Sequence, residues 1–333
     1  MTRKIISILF LLTASAAAVA QQNLQFSQYA FNGLSVNPAY AGYKEMWFLN
    51  ATYRQQWTSL PGAPKTGSIS IDGVAPAPDN RVGLGLQFMY DKLGPQQALA
   101  LYANYAYRIP LDETGNRRIC LGIGAGATQY SVDGTALTYN DDNDQAIPPG
   151  VARKIVPDFR FGVYFFTPRF YAGLSAMDLL SEINDGTRYS WKGNDYATIK
   201  KIRHYYLTLG TMFPLSEHVS FKPSLLVKED FKGPTNLDLN AVFLVVEKIW
   251  LGASWRTGVK VWNKDHLQDN LSQKDAFSFQ VQFFATDYLR IGYAYDYTTN
   301  GLASYEKGTH EIGIGYGLFS RKNKARTLSP RYF

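Results

Sequence analysis

The residues of this chain that could do chemistry are few and widely separated. Its four histidines, His204, His218, His266 and His310, show no spacing typical of metal ligands, and we interpret them as exposed or interfacial residues. The single cysteine, Cys120, lies inside an alternating apolar run with no signature around it, which favours a packed thiol. No Gly-x-Ser-x-Gly or comparable nucleophile motif occurs. The sequence therefore predicts no catalytic residue, no bound metal and no cofactor.

Two other patterns resemble ligand sites only superficially. The runs GLGLQF (83–88) and GIGAGA (122–127) are rich in glycine, but no helix follows them, so they lack the context of a phosphate-binding loop. They predict small side chains along one face of a strand. The run YNDDND, which contains Asn140 to Asp144, could bind calcium, although it lacks the central Gly and terminal Glu of a calcium loop. We favour a solvated acidic loop there.

The N-terminus has the features of a secretory signal peptide. In MTRKIISILFLLTASAAAVAQQ, Arg3 and Lys4 precede an apolar run, and Ala18-Val19-Ala20 forms a small-residue cleavage site. Residues 1–20 are therefore predicted to be removed, and because Gln21 rather than a cysteine follows, nothing indicates a lipid anchor. With one cysteine in the chain, no internal disulfide is possible.

Composition narrows the class of protein further. The formal charge of +7 becomes +5 without Arg3 and Lys4, and no run of basic residues within the strands indicates nucleic acid. Beyond residue 22 no apolar run reaches the roughly 18 residues of a membrane-spanning helix. The 23 tyrosines suit strands with one end in water and one in lipid.

Alternation with period two runs through the remaining chain. In DAFSFQVQFFAT, for example, Phe277 and Phe279 share one face while Ser278 and Gln280 share the other. We predict an all-β fold, a transmembrane antiparallel β-barrel spanning 46–319. Its fourteen strands are expected near 46–58, 66–74, 81–91, 97–108, 117–132, 157–167, 169–178, 202–213, 217–229, 235–246, 248–258, 275–285, 287–298 and 309–319.

The predicted connections alternate in length. Those at 167–169, 214–217, 247 and 285–287 are tight, whereas 132–156, 178–202, 258–274 and 298–308 are long, as in barrels with short periplasmic turns and long extracellular loops. Alternation directs a set of charged side chains to the lumen: Arg118, Arg160, Lys222, Asp238, Arg290, Asp296 and Glu311. This mixture fits either a hydrated channel or a surface that holds a plug.

Both ends of the mature chain lie outside the predicted barrel. Residues 21–45 contain the turn-forming run SVNPAYAG and are expected to form a periplasmic or lumen-docked segment. Residues 320–333, SRKNKARTLSPRYF, contain no acidic residue and are expected to form a basic periplasmic tail. For this tail, a loosely held terminus and a partner-binding element are equally supported.

The opening of the mature chain resembles a known family. FSQYAFN (26–32) followed by NPAYAG (37–42), together with YRQQW (53–57) and the closing SPRYF, is similar to the PorP/SprF outer-membrane proteins of the type IX secretion system of Bacteroidota. Gly33 is a departure, because Pro is expected there more often. By this resemblance the candidate motif and partner-contact residues are Phe26, Gln28, Tyr29, Asn37, Pro38, Tyr40, Gly42, Arg331, Tyr332 and Phe333.

The resemblance implies a non-enzymatic barrel of the outer membrane that assists export or surface attachment of a cognate secreted protein, such as a gliding adhesin. Its implied partners are outer-membrane lipid, the secreted client, and the periplasmic ring and peptidoglycan-associated components of the machinery. The barrel could serve the core machine or a single client. The same barrel physics also permits a general porin or solute channel, and the sequence leaves open whether the lumen is open.

Overall fold

A computed structural model describes residues 25–76, 80–137, 150–181, 188–191, 194–197, 202–264, 267 and 273–318. The predicted signal peptide, the run Asn140 to Asp144 and the basic tail lie outside these residues. Among the described residues, none of the helices has the length and apolar character needed to cross a membrane.

Fourteen antiparallel strands form one closed barrel. Each strand pairs with the next in sequence, and the last pairs with the first, from Phe48 opposite Gly317 to Gln55 opposite His310. The strands are β1 Phe48–Gln55, β2 Lys65–Val74, β3 Val82–Leu93, β4 Gln96–Pro110, β5 Arg118–Asp133, β6 Val151–Phe166, β7 Phe170–Met177, β8 His204–Thr211, β9 Val219–Glu229, β10 Thr235–Val245, β11 Ile249–Val259, β12 Lys274–Phe284, β13 Leu289–Thr298 and β14 Thr309–Gly317. The predicted all-β barrel is confirmed.

Small elements accompany the barrel. Short strands Arg188–Trp191 and Asn194–Ala197 form a hairpin between β7 and β8, and Phe213–Pro214 pairs with the start of β9. Single turns of 3₁₀ helix occur in the connections at Gly134–Ala136 and Gly301–Ser304, and three more lie before β1, at Tyr29–Phe31, Gly33–Ser35 and Pro38–Tyr40.

The two faces of the barrel wall follow the predicted alternation. Outward residues such as Phe279 and Ile123 expose about half of their surface, 61% and 52%, as expected of side chains that face lipid. The seven charged residues predicted to point into the lumen are all buried, from Asp238 and Glu311 at 0% exposure to Arg118 at 5%. Closure explains this fold, because an open sheet edge would leave backbone groups unpaired in hydrocarbon.

Several boundaries differ from the sequence prediction. Strand β6 begins at Val151 rather than near 157, since its first residues continue the ladder with β5 from Val151 opposite Asp133. The predicted loop 132–156 is therefore shorter. The connection between β3 and β4 is a turn at residues 94–95 on the side of the long loops, where Gly94 has a positive φ of 56°.

The histidine interpretation was wrong for one residue. His204 is 7% exposed, and its Nδ1 lies 2.7 Å from the carbonyl oxygen of Ile202. His218 is exposed, whereas His310 is half-buried and contacts the ring of Tyr295 at 5.3 Å between centroids. His266 lies outside the described residues. Cys120 is 1% exposed, as the sequence predicted for a packed thiol.

Candidate functional site

The candidate site is built by residues 25–44, which we call the lumen segment. Three consecutive 3₁₀ turns compact this stretch before β1. The last turn begins at Asn37, whose Oδ1 accepts a hydrogen bond of 2.9 Å from the N–H of Ala39, and Pro38 occupies its first position. Gly42 ends the motif with a φ of +76°, a conformation that side chains disfavour. The NPAYAG run is thus a capped turn.

The lumen segment contacts the wall on every side. It forms a hydrogen bond or a buried apolar contact with each of the fourteen strands. The wall partners in strand order are Arg54, Asp72, Gln87, Ala106, Cys120, Tyr164, Ser175, Tyr206, Ser224, Val242, Arg256, Asp275, Asp296 and Glu311. The segment therefore lies across the lumen.

The Phe26-Ser27-Gln28 end of the lumen segment is held by carboxylates on the last strands. The N–H of Ser27 donates to Glu311 Oε2 at 2.7 Å, and the N–H of Gln28 donates to Glu311 Oε1 at 2.9 Å. The Ser27 hydroxyl lies 2.7 Å from both carboxylate oxygens of Asp296. Glu311 thus accepts hydrogen bonds from two successive backbone amides, one at each of its carboxylate oxygens.

Two arginines complete this network. Arg54 donates to Asp296 at 2.7 Å and to Glu311 at 3.2 Å, while Arg256 donates to Asp238 at 2.9 Å and to Asp296 at 3.3 Å. Both arginines also reach the Ser27 hydroxyl, at 2.8 and 3.2 Å. All five charged side chains are at most 3% exposed, so each depends on its partners to offset the loss of hydration.

The middle of the lumen segment fits against glycines of the wall. Asn37 Nδ2 donates to the carbonyl oxygens of Val163 at 3.0 Å and Leu174 at 3.3 Å. A side chain at Gly162 would collide with the Asn37 amide, and one at Gly122 would collide with the backbone of Ala39. Gly122 belongs to the run GIGAGA, which the sequence predicted to give small side chains along one face of a strand. At both glycines the absence of a side chain lets the lumen segment approach the wall closely.

Aromatic side chains fill the remaining space. The ring of Tyr40 packs 5.0 Å from Tyr43 and 5.7 Å from Tyr164 of β6. On the opposite side, Phe31 packs edge-on against Trp250 at 5.6 Å. The cations of Lys222 and Arg290 lie over the Phe31 ring at 4.7 and 4.6 Å.

Burial also sets the ionisation of groups in the lumen segment. It raises the pKa of Tyr29 and of Tyr40 above the ordinary phenol range, so both remain neutral. The Tyr29 hydroxyl lies 3.2 Å from the Ser224 hydroxyl. Burial, with the nearby charges of Arg290 and Lys222, lowers the pKa of Lys44 well below its usual value. These buried groups therefore act through packing and through hydrogen bonds of fixed geometry.

The structure brings together seven of the ten candidate residues from the sequence. Phe26, Gln28, Tyr29, Asn37, Pro38, Tyr40 and Gly42 all belong to the lumen segment, and all seven are buried. Arg331, Tyr332 and Phe333 lie outside the described residues. Whether any of the ten contacts a partner protein stays a prediction.

Sequence reasoning did not single out Ser27 or Arg54 as site residues. A signal for Arg54 existed, since it lies within YRQQW and alternation places it on the lumen face.

Within the part of the chain that the structure describes, no cluster of three or more His, Cys, Asp or Glu side chains could hold a metal ion.

Two solved structures are similar to this chain over most of its length. The CymD monoaromatic hydrocarbon channel is similar in structure, with a TM-score of 0.50 and 9% identity over 89% of this chain and 94% of that chain. A Pseudomonas aeruginosa FadL homologue has a TM-score of 0.46 and 12% identity, over 91% and 97% of the two chains. At these identities the likeness to CymD shows the barrel fold alone. A search of curated proteins gives no match.

The sequence itself identifies the family. The profile described as "Type IX secretion system membrane protein PorP/SprF" matches residues 18–316, which include the lumen segment and all fourteen strands of the barrel except the last residue of β14. Membership of a type IX secretion family implies partners in that machinery, and family and fold together indicate the outer membrane. This chain belongs to the PorP/SprF family of type IX secretion system membrane proteins.

Proposed function

We propose that the protein is a non-enzymatic, plugged outer-membrane barrel that assists export or surface attachment of a cognate secreted protein, such as an adhesin. In this role the protein is exported by a signal peptide, residues 1–20, which is then cleaved. It works with the periplasmic ring and peptidoglycan-associated components of the secretion machinery. Family membership supports the secretion setting. The feature that carries the proposal is the lumen segment, which contacts all fourteen strands.

The contacts of the lumen segment argue against a general solute channel. An open diffusion pore needs a continuous hydrated path, whereas here the five buried charges around Ser27 are bound to one another and to the segment. The aromatic packing of Phe31 and Tyr40 adds apolar material on two further sides. A barrel that is filled in this way suits a scaffold for protein contacts better than a solute path.

The experiment compares cells that lack the protein with cells that carry it. Secreted proteins on the intact cell surface are labelled and quantified by mass spectrometry. The proposal expects loss of one or a few surface proteins, restored by the wild-type chain, with no general change in uptake of small solutes. Unchanged surface proteins together with a defect in solute uptake would contradict it and favour the channel.

A further inference from the structure

A cavity of about 430 Å³ opens above the lumen segment, at the end of the barrel that carries the long connections. Its floor includes Gln25 of the segment and the Arg54–Asp296 pair. The volume falls in the range of about 300 to 1,000 Å³ that is usual for ligand pockets. Long connections mark the extracellular side of such barrels, so this cavity faces the side on which a secreted protein arrives.

The charges around the cavity are unequal. Among its described lining residues are four aspartates, Asp91, Asp178, Asp275 and Asp296, against two arginines, Arg54 and Arg256. Both arginines are bound by the buried carboxylates of the network below, which also includes Asp238 and Glu311. Asp275 retains 30% side-chain exposure and lies 3.9 Å from Nε of Arg256, and Lys228 adds a third cation beside Asp238 and Asp275. Six carboxylates thus stand against three cations in the cavity and the network below it, so the field in the cavity favours a cation.

The walls of the cavity offer surfaces for the different parts of a cationic ligand. Trp57 and Tyr130 supply aromatic surface, on which an ammonium or guanidinium group gains from the ring quadrupole. Met89, Leu93 and Ile202 supply apolar surface for an aliphatic stem. Amide side chains at Gln56, Gln96 and Gln97 can meet the polar groups of a peptide backbone.

We propose that this cavity binds a lysine- or arginine-containing extended segment of the secreted partner. The assignment of the segment to a secreted protein rests on the proposed function, whereas the preference for a cationic peptide rests on the cavity itself. The bound amine or guanidinium lies near Asp91 on β3 or near Asp275 on β12, and its stem packs along the apolar wall. The lumen segment closes the inner end, so the peptide enters and leaves from outside.

The test measures peptide binding to the purified full-length protein in detergent by isothermal calorimetry. The probes are an end-capped glycine-rich hexapeptide with one Lys and one Arg, the same peptide with norleucine at both positions, and the same peptide with glutamate there. We expect the cationic peptide to bind, the other two to bind at least tenfold more weakly, and added salt to weaken binding. Equal binding of the three peptides, or no binding, would overturn the proposal.

Two pairs of substitutions test where on the protein the cationic peptide binds. The pair Asp91→Asn and Asp275→Asn should weaken binding of the cationic peptide about tenfold. The pair Glu113→Gln and Glu217→Gln removes the same charge from exposed turns at the opposite end and should leave binding unchanged. Equal losses in both pairs would overturn the proposal, because they would reflect net charge alone. Heat-resistant migration on gels verifies that each variant folds.

Two further measurements test whether a different ligand occupies the cavity. Binding of free spermidine without binding of the peptide would assign the cavity to a small amine and overturn the proposal. Peptide binding that appears only after removal of residues 21–24 would assign it to the chain's own N-terminus, with the same consequence. If peptide binding fails while surface display still depends on the protein, the proposed function survives and only this inference falls.

Discussion

The backbone N–H of Ser27 donates a hydrogen bond of 2.7 Å to Oε2 of Glu311, which is 284 residues away along the chain. Glu311 lies in β14, the strand that closes the barrel against β1. The lumen segment is therefore held by the strand whose pairing completes the wall, and docking of the segment and closure of the barrel share one side chain.

Glu311→Gln should loosen the lumen segment. One carboxylate oxygen becomes an NH₂ group that faces the Ser27 and Gln28 amides or Arg54, so a buried acceptor is lost and a charge partner is removed. Breaking a buried pair in this way costs about 3 to 5 kcal/mol. The measurement is the rate of proteolysis within residues 25–44 in detergent, which should rise. The exposed Glu113→Gln serves as control, and equal rates in both variants would contradict the assigned role.

Gly122→Ala should displace the turn at Pro38–Tyr40. The added Cβ would collide with the backbone of Ala39, which cannot move without disturbing Asn37, and overpacking of this kind costs about 1 to 3 kcal/mol. Planar-bilayer recordings should then show conductance events that are rare in the wild type. Gly301→Ala, where the new methyl meets open space, should behave as the wild type. If Gly301→Ala gives the same conductance events as Gly122→Ala, the close approach at Gly122 does not explain those events.

Asn37→Ala should cost more than loss of a helix cap alone. The substitution removes the cap on Ala39 and also both hydrogen bonds to the wall carbonyls of Val163 and Leu174. Asn300 caps Leu302 in the same way at 2.9 Å, and its side chain makes no hydrogen bond to the described residues of the wall. Asn300→Ala should therefore lower the free energy of unfolding by about 1 kcal/mol and Asn37→Ala by about 2 to 4 kcal/mol. Thermal unfolding compares them, and equal losses would contradict the wall contacts.

Phe279→Lys should impair insertion into lipid. Phe279 lies midway along β12 and exposes 61% of its surface on the outer face. A lysine at the bilayer midplane costs about 2 to 4 kcal/mol, whereas one near the interface costs about 0 to 1 kcal/mol. Leu215, 60% exposed in the turn between β8 and β9, provides the control Leu215→Lys. Folding yield into lipid vesicles should fall only for Phe279→Lys; a matching decrease for Leu215→Lys would argue against a lipid face there.

Period two was sufficient to predict the wall, because each strand alternates between two environments of very different polarity. It predicts Phe279 on the outer face and Glu311 in the lumen, and both are found there. It could not predict that Glu311 binds Ser27, because the strand pattern carries no information about what fills the lumen. The same limit applies to Gly122, whose small size was explicable by alternation but whose partner, Ala39, required the folded chain.

The extent of β6 illustrates a different limit. Residues 151–156 include Arg153 and Lys154, and this polarity resembles a loop, yet they pair with β5 as far as Asp133. Pairing satisfies their backbone groups whatever the side chains are, so hydrophobic alternation underestimates strands that extend beyond the lipid.

The most direct test of the proposed role is affinity isolation of the wild-type protein from native outer membranes in mild detergent, followed by mass spectrometry. We expect periplasmic components of the type IX machinery and at least one large secreted surface protein to accompany it. Recovery of the barrel alone, combined with steady solute conductance of that preparation in planar bilayers, would contradict the account and support a channel.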